Sequence, residues 1–164
     1  MIDFLEILKH TGYGDLVVKS IWGYAIFEII HLVGIVMLVG AITLTDLRLL
    51  GWSRALPVTY TSEYLLRWVW LGFGLCVFAG SSLFISDGRM FLKNPFFLSK
   101  MILIVLTGIN AAFFQFRVFR NVAQWEQGVS SPMIAKVCAA LSMTLWFTAI
   151  AAGKLIAYPT LWSK

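Results

Sequence analysis

Four long apolar runs separated by short polar segments divide the chain, at residues 17–45, 64–85, 95–116 and 133–158. A hydrocarbon core of about 30 Å takes roughly 20 helical residues to cross, and each run is long enough. Lipid offers backbone N–H and C=O groups no hydrogen-bond partner, so runs of this length predict helices. Asp46, Arg48 and Gly51 follow the first run and Ser86-Asp87-Gly88-Arg89 the second. Arg117 and Arg120 follow the third, and Pro159 ends the fourth. Pro95 and Pro132 stand where helices three and four begin, positions at which a missing N–H costs nothing. The pattern predicts an all-α fold, an integral membrane four-helix bundle forming a single transmembrane domain over residues 1–164.

Ahead of the first run, Ile2, Leu5, Ile7 and Leu8 alternate with Asp3, Glu6 and Lys9, and Thr11-Gly12-Tyr13-Gly14 follows. This predicts a short amphipathic N-terminal helix on the membrane surface, ending at a turn. The segment has acids where a cleaved signal needs a basic region, and it is expected to be retained. Trp22, Trp52, Trp68, Trp70, Trp125, Trp162 and Tyr158 fall near predicted helix ends, as an interfacial belt does, whereas Trp146 does not.

Composition agrees with the pattern: 60% of residues are hydrophobic, 13% are charged, and the mean hydropathy is +0.84. A soluble domain of that balance lacks the polar groups to cover its surface, so the first partner is the lipid bilayer. The net charge of +5 would point to nucleic acid in a soluble protein. Here the basic residues cluster at the ends of the runs, where lipid headgroups lie, and no basic stripe with exposed aromatics excuses a nucleic-acid reading. The same residues divide almost evenly between the two sides, and Asp3, Glu6 and Asp15 tip the expectation slightly toward termini outside. Cys76 and Cys138 have no CxxC spacing and read as packed free thiols. Motifs for hydrolysis or phosphoryl transfer are absent.

Helices associate in lipid through close approach at small residues. Gly72, Cys76 and Gly80 recur every four residues on the second helix, and Ala135, Ala139, Ser142, Ala149 and Gly153 line the fourth. Gly34 lies beside His31 on the first. These stripes serve tight packing, room for a flat ligand, or both.

The candidate chemistry centres on Glu28 and His31, one helical turn apart in the longest apolar run and expected to share a face. Ionisable groups at such depth act as ligands or proton carriers, or satisfy one another. Cys76, Thr107, Asn110, Met143 and Trp146 fall at similar depth by counting inward from the boundaries. Three ligands suit this set. Haem b is first, held between helices by His31, the sixth ligand being Met143, a residue from a second copy or partner, or nothing. His10 lies too far along the chain to serve. Copper(I) is the second, with His31, Cys76 and Met143 supplying imidazole, thiolate and thioether. A quinol is the third, exchanging protons with Glu28 and His31 beside an aromatic wall. Against all three stands a structural reading, in which the pair only specifies helix packing.

His31-Leu-Val-Gly34, Asp46-Leu-Arg48-Leu-Leu-Gly51, Asn94-Pro95-Phe-Phe-Leu-Ser-Lys100 and Gly153-Lys154-Leu-Ile-Ala157-Tyr158 resemble a family of uncharacterised bacterial four-helix membrane proteins. That family is distantly similar to copper-resistance D type proteins and b-type cytochrome bundles. The resemblance implies a multi-pass protein of the bacterial inner membrane, with metal or redox work in an assembly with other membrane or periplasmic subunits or with further copies of itself. It implies an electron-transfer or accessory subunit rather than a stand-alone enzyme. The fourth-helix motif usually carries arginine where this chain has Lys154, a position that would anchor a carboxylate or haem propionate. Gly34 and Asn110 complete the expected surroundings of the group. Asp46 and Arg48, just past the first helix, read as an interfacial ion pair or snorkelling anchor, with Arg48 or Arg54 alternatively meeting an anionic headgroup or partner subunit. A non-catalytic structural subunit and a copper(I) or small-solute carrier are the competing functions.

Overall fold

A computed structural model describes residues 22–52, 58–124 and 130–158, with isolated positions at 11, 12, 17, 20 and 160. The predicted N-terminal amphipathic helix, His10, Trp125 and Trp162 lie outside the described residues. Among the described residues there are four long α-helices: α1 Gly23–Leu50, α2 Val58–Lys93, α3 Pro95–Phe113 and α4 Met133–Leu155. All four carry stretches long and apolar enough to cross a membrane. Large apolar side chains such as Ile29, Val36, Trp70, Ile102 and Phe116 point outward. In water that arrangement would be unstable; in lipid it is the expected surface of a helical bundle.

The boundaries differ from expectation where local polarity was read as a stop. The first helix runs on through Asp46 and Arg48 and ends only at Gly51, whose φ of 109° is a left-handed conformation suited to glycine. There the Gly51 N–H bonds the Arg48 carbonyl at 3.1 Å and the Trp52 N–H bonds the Leu47 carbonyl at 3.0 Å. The second helix passes straight through Ser86-Asp87-Gly88-Arg89. A single glycine costs a helix only about 1 kcal/mol. The serine hydroxyls turn back onto helix carbonyls, Ser82 to Phe78 at 2.8 Å and Ser86 to Leu83 at 2.6 Å. Phe91 of this extension gathers with Phe84 and with Phe97 of α3, at centroid separations of 5.4–6.2 Å, which holds it in place.

Asn94 makes the break between α2 and α3. It is fully buried, accepts at Oδ1 from the Phe96 and Phe97 N–H groups, and precedes Pro95 in the first helical position. Its Nδ2 donates to the Ile156 carbonyl beyond α4, at 3.4 Å. After Phe113 the third helix widens into a π-helical turn, Phe114–Val118, and then tightens into a 3₁₀ segment, Phe119–Gln124. The fourth helix stops at Leu155, short of the predicted 158.

Packing pairs α1 with α2 and α3 with α4, and α1 also packs on α4; α2 and α3 meet more lightly. The predicted small-residue stripes lie at these contacts. Ala135, Ala139, Ser142 and Ala149 of α4 are buried. On α2, a methyl group added to Gly72 would stand 2.6 Å from the Leu38 nitrogen and 2.8 Å from the Gly34 oxygen. One added to Gly34 would stand 2.9 Å from the Cys76 nitrogen, the Cys76 sulfur and the Gly72 oxygen. These glycines let two backbones touch.

Gly72→Ala should therefore destabilise the protein in detergent by about 1–3 kcal/mol, the usual cost of overpacking. Gly40→Ala and Gly74→Ala, where an added methyl meets nothing within 4 Å, should leave the melting temperature unchanged or raised. Equal melting temperatures for all three variants would show that α1 and α2 are not in backbone contact.

Candidate functional site

His31 lies half-buried on α1 with its ring against Gly80 of α2. A methyl at position 80 would stand 3.1 Å from His31 Cε1 and 3.3 Å from Nδ1, so a glycine there is what admits the ring. Nδ1 is 3.1 Å from the Cys76 carbonyl oxygen. A carbonyl only accepts, so Nδ1 carries the hydrogen and donates it. The Cys76 thiol makes a longer return contact to the His31 carbonyl, 3.8 Å away. His31 and Cys76 thus meet through each other's backbone, and Gly34 fills the next turn of the same contact. The glycines at 34 and 72 are occupied by helix packing, which closes the crevice imagined for a flat ligand.

Glu28 does not share this environment. It is exposed on α1, where it acts electrostatically on Tyr24, one turn earlier. The expected enclosed pair is therefore opened: His31 faces α2, and Glu28 faces the outside of the bundle.

Lys100 of α3, which sequence reasoning did not single out as a site residue, enters instead. It is half-buried, and its Cδ and Nζ lie 3.5 Å from where a Cβ on Gly153 of α4 would stand. Its ammonium is close enough to act electrostatically on both the His31 ring and the Cys76 thiol. One lysine thus relates to residues of all three other helices. Its signal in the sequence was a cation five residues inside an otherwise apolar helix that starts at Pro95.

A second polar layer lies toward the far end of α1. Asp46 and Arg48, expected at the interface, are instead inside α1 and only 6% and 4% exposed. The Ser142 hydroxyl of α4 hydrogen-bonds the Asp46 carboxyl group, whose Oδ2 has no partner among the described residues. Asn110 of α3 donates from Nδ2 to the Cys138 carbonyl of α4 at 3.0 Å, so it serves as a helix tie.

The Asp46–Ser142 contact fixes the level of Met143. His31 lies 15 positions before Asp46 on the same helix, about 22 Å along the axis at 1.5 Å per residue. Met143 follows Ser142 and belongs to the Asp46 level, so it cannot join His31 on one iron or one copper ion. The set of His31, Cys76 and Met143 is not assembled. Groups of three or more His, Cys, Asp or Glu suited to a metal are likewise absent among the described residues. Lys154 is exposed at the end of α4, its Nζ 5.9 Å from the Tyr158 ring centroid, and does not point into the bundle as the resemblance implied.

A family of unknown function (DUF6644) matches the chain over residues 4–159. No curated protein and no solved structure matches it.

His31→Ala should lower the melting temperature in detergent, since it removes a hydrogen bond to α2 and leaves a void over Gly80, a loss of roughly 1–3 kcal/mol. Glu28→Gln, at an exposed position, should change it within about 0.5 kcal/mol. Equal losses would mean that the two side chains work as one buried pair.

Proposed function

The chain belongs to that family, and we propose that it is a membrane redox protein of the bacterial inner membrane, holding haem b through His31 as a subunit of an electron-transfer assembly. The observation that carries this reading is the 3.1 Å bond from His31 Nδ1 to the Cys76 carbonyl. A ligating histidine characteristically spends its other ring N–H on a carbonyl or carboxylate, which fixes the tautomer and aims the ring. With Nδ1 committed, Nε2 is the lone-pair nitrogen. Gly80 provides the flat seat that holds the imidazole plane.

His31 Nε2 would be the one nitrogen that this chain offers to the group. Haem b would supply one-electron exchange, and His31 would be the residue of this chain that holds and orients it. Met143 lies at the Asp46 level, which gives no support to the thioether ligand or the copper(I) set. A quinol is the second reading, favoured by the Phe84, Phe91 and Phe97 cluster, because Phe97 lies one turn from Lys100 on α3. A purely structural subunit is the third, and it accounts for His31 as a helix tie.

Absorption spectra of detergent-purified protein decide among them. The expected result is a Soret band in the wild type, lost in His31→Ala and kept in Glu28→Gln. A protein that stays colourless when produced with added haem removes the haem assignment; quinone recovered by solvent extraction from the same preparation, and lost with His31→Ala, then supports the second reading.

A further inference from the structure

A buried carboxyl oxygen is left over where α1 ends. Asp46 is only 6% exposed, and the Ser142 hydroxyl of α4 bonds its carboxyl group, but Oδ2 has no hydrogen-bond partner among the described residues. A carboxylate closed off from water is costly unless its charge is met. Arg48 does not meet it at Oδ2: it is buried, has an interaction of its own, and stands two residues on, about 200° farther round α1. A second oxygen in the same condition lies on α2. Ser62 Oγ is buried and likewise lacks a hydrogen-bond partner among the described residues. The helix register brings it to the level of Asp46. Leu49 and Val58 pack in one apolar cluster with Cys138 and Ala139, and one turn deeper into the bundle stand Asp46 on α1, Ser62 on α2 and Ser142 on α4. The glycine contact gives the same register. From Gly34, which meets Gly72 and Cys76, twelve residues along α1 reach Asp46, and twelve back along α2 from the midpoint of that pair reach Ser62.

We propose that Asp46, Ser142 and Ser62 form a site for a small monovalent cation such as sodium, set one turn behind the cluster of Leu49, Val58 and Cys138. The site is independent of any group held at His31, which lies about 22 Å away along α1. Its donors are all oxygens, one carboxylate with neutral hydroxyls, a set that suits a hard cation. One carboxylate balances one positive charge, whereas a divalent ion would leave an uncompensated charge in the bundle, a large cost away from water. A proton would neutralise Asp46 as well, but wherever it sat on the carboxyl group, Oδ2 would stay without a partner, as donor or as acceptor. Oxygens that share a cation point at the ion rather than at one another, and stand farther apart than hydrogen-bonded ones. That is the condition of Oδ2 and Ser62 Oγ. Helical carbonyls, each with a second lone pair, supply the remaining oxygens.

Thermal unfolding of the full-length protein in a non-ionic detergent tests this, with sodium chloride replaced stepwise by choline chloride at constant total salt and pH. An ion that binds only the folded state raises Tm with its concentration. Tm should rise by about 2–5 °C once sodium exceeds its dissociation constant about tenfold. Asp46→Asn, which keeps the shape and loses the charge, should abolish the dependence. Ser142→Ala and Ser62→Ala should each move its midpoint to about tenfold higher sodium, the worth of one oxygen ligand. Thr144→Ala, whose hydroxyl lies on an exposed part of α4, should behave as the wild type. Equal wild-type Tm in sodium and choline overturns the site whether or not Asp46→Asn folds, as does a sodium dependence that survives in Asp46→Asn. A wild-type Tm that ignores sodium but rises with acid assigns the neutralising charge to a proton and overturns the site as well.

Discussion

The contact on which the rest depends is the backbone-to-backbone approach of α1 and α2 at Gly34 and Gly72. Lipid tails are as apolar as the side chains they touch, so burying leucine against leucine gives a membrane bundle little net drive. Close van der Waals contact and interhelical hydrogen bonds do the work instead. Once Gly72 lies against Leu38 and Gly34, the antiparallel register is set, and one turn farther His31 arrives over Gly80 with Nδ1 at the Cys76 carbonyl. Shifting either helix by a turn would drive His31 into a residue larger than glycine and part the hydrogen bond. The imidazole is therefore placed by glycines rather than by polar neighbours.

Polar side chains elsewhere follow the same device. His31, Asn110 and Asn94 each bond a main-chain carbonyl of a different segment: Cys76 on α2, Cys138 on α4 and Ile156 beyond α4. A helical carbonyl keeps a second lone pair after its own helix is satisfied, so a neighbour can use it without unwinding anything. The ties sort into two levels. His31, Cys76 and Lys100 lie toward the end where α1 starts, and Asp46, Ser142 and Asn110 lie toward the end where it stops. Between them the bundle is held by small residues and apolar contact.

Architecture was legible in the sequence because it rests on runs of hydrophobicity and on glycine and alanine spacing, both of which are local. The four spans, the Gly72-Cys76-Gly80 stripe and the closeness of Gly34 to His31 all appear in the structure. Helix ends were less legible. Ser86-Asp87-Gly88-Arg89 looks like a stop, yet Phe84, Phe91 and Phe97 stabilise α2 beyond it, and Phe97 belongs to the next helix. Asp46 looked interfacial because its partner, Ser142, is nearly a hundred residues away in sequence. Lys100 was passed over for the same kind of reason, since its meaning comes from Gly153, His31 and Cys76 on three other helices. Periodicity puts Glu28 and His31 on adjoining positions, but the roughly 60° between them around the helix axis decides between the partner helix and the outside.

The commitment of Nδ1 to α2 has a consequence for what kind of protein this is. A histidine bonded through one nitrogen to a helix carbonyl has one nitrogen left for chemistry, and the packed glycines beside it leave no second face of the ring open toward α2. Met143 lies several helical turns away, at the level of Asp46 and Ser142. A bis-ligated electron carrier built wholly from these residues is inconsistent with that geometry. Any group held at His31 would therefore meet this chain through the one nitrogen that the α2 bond leaves available.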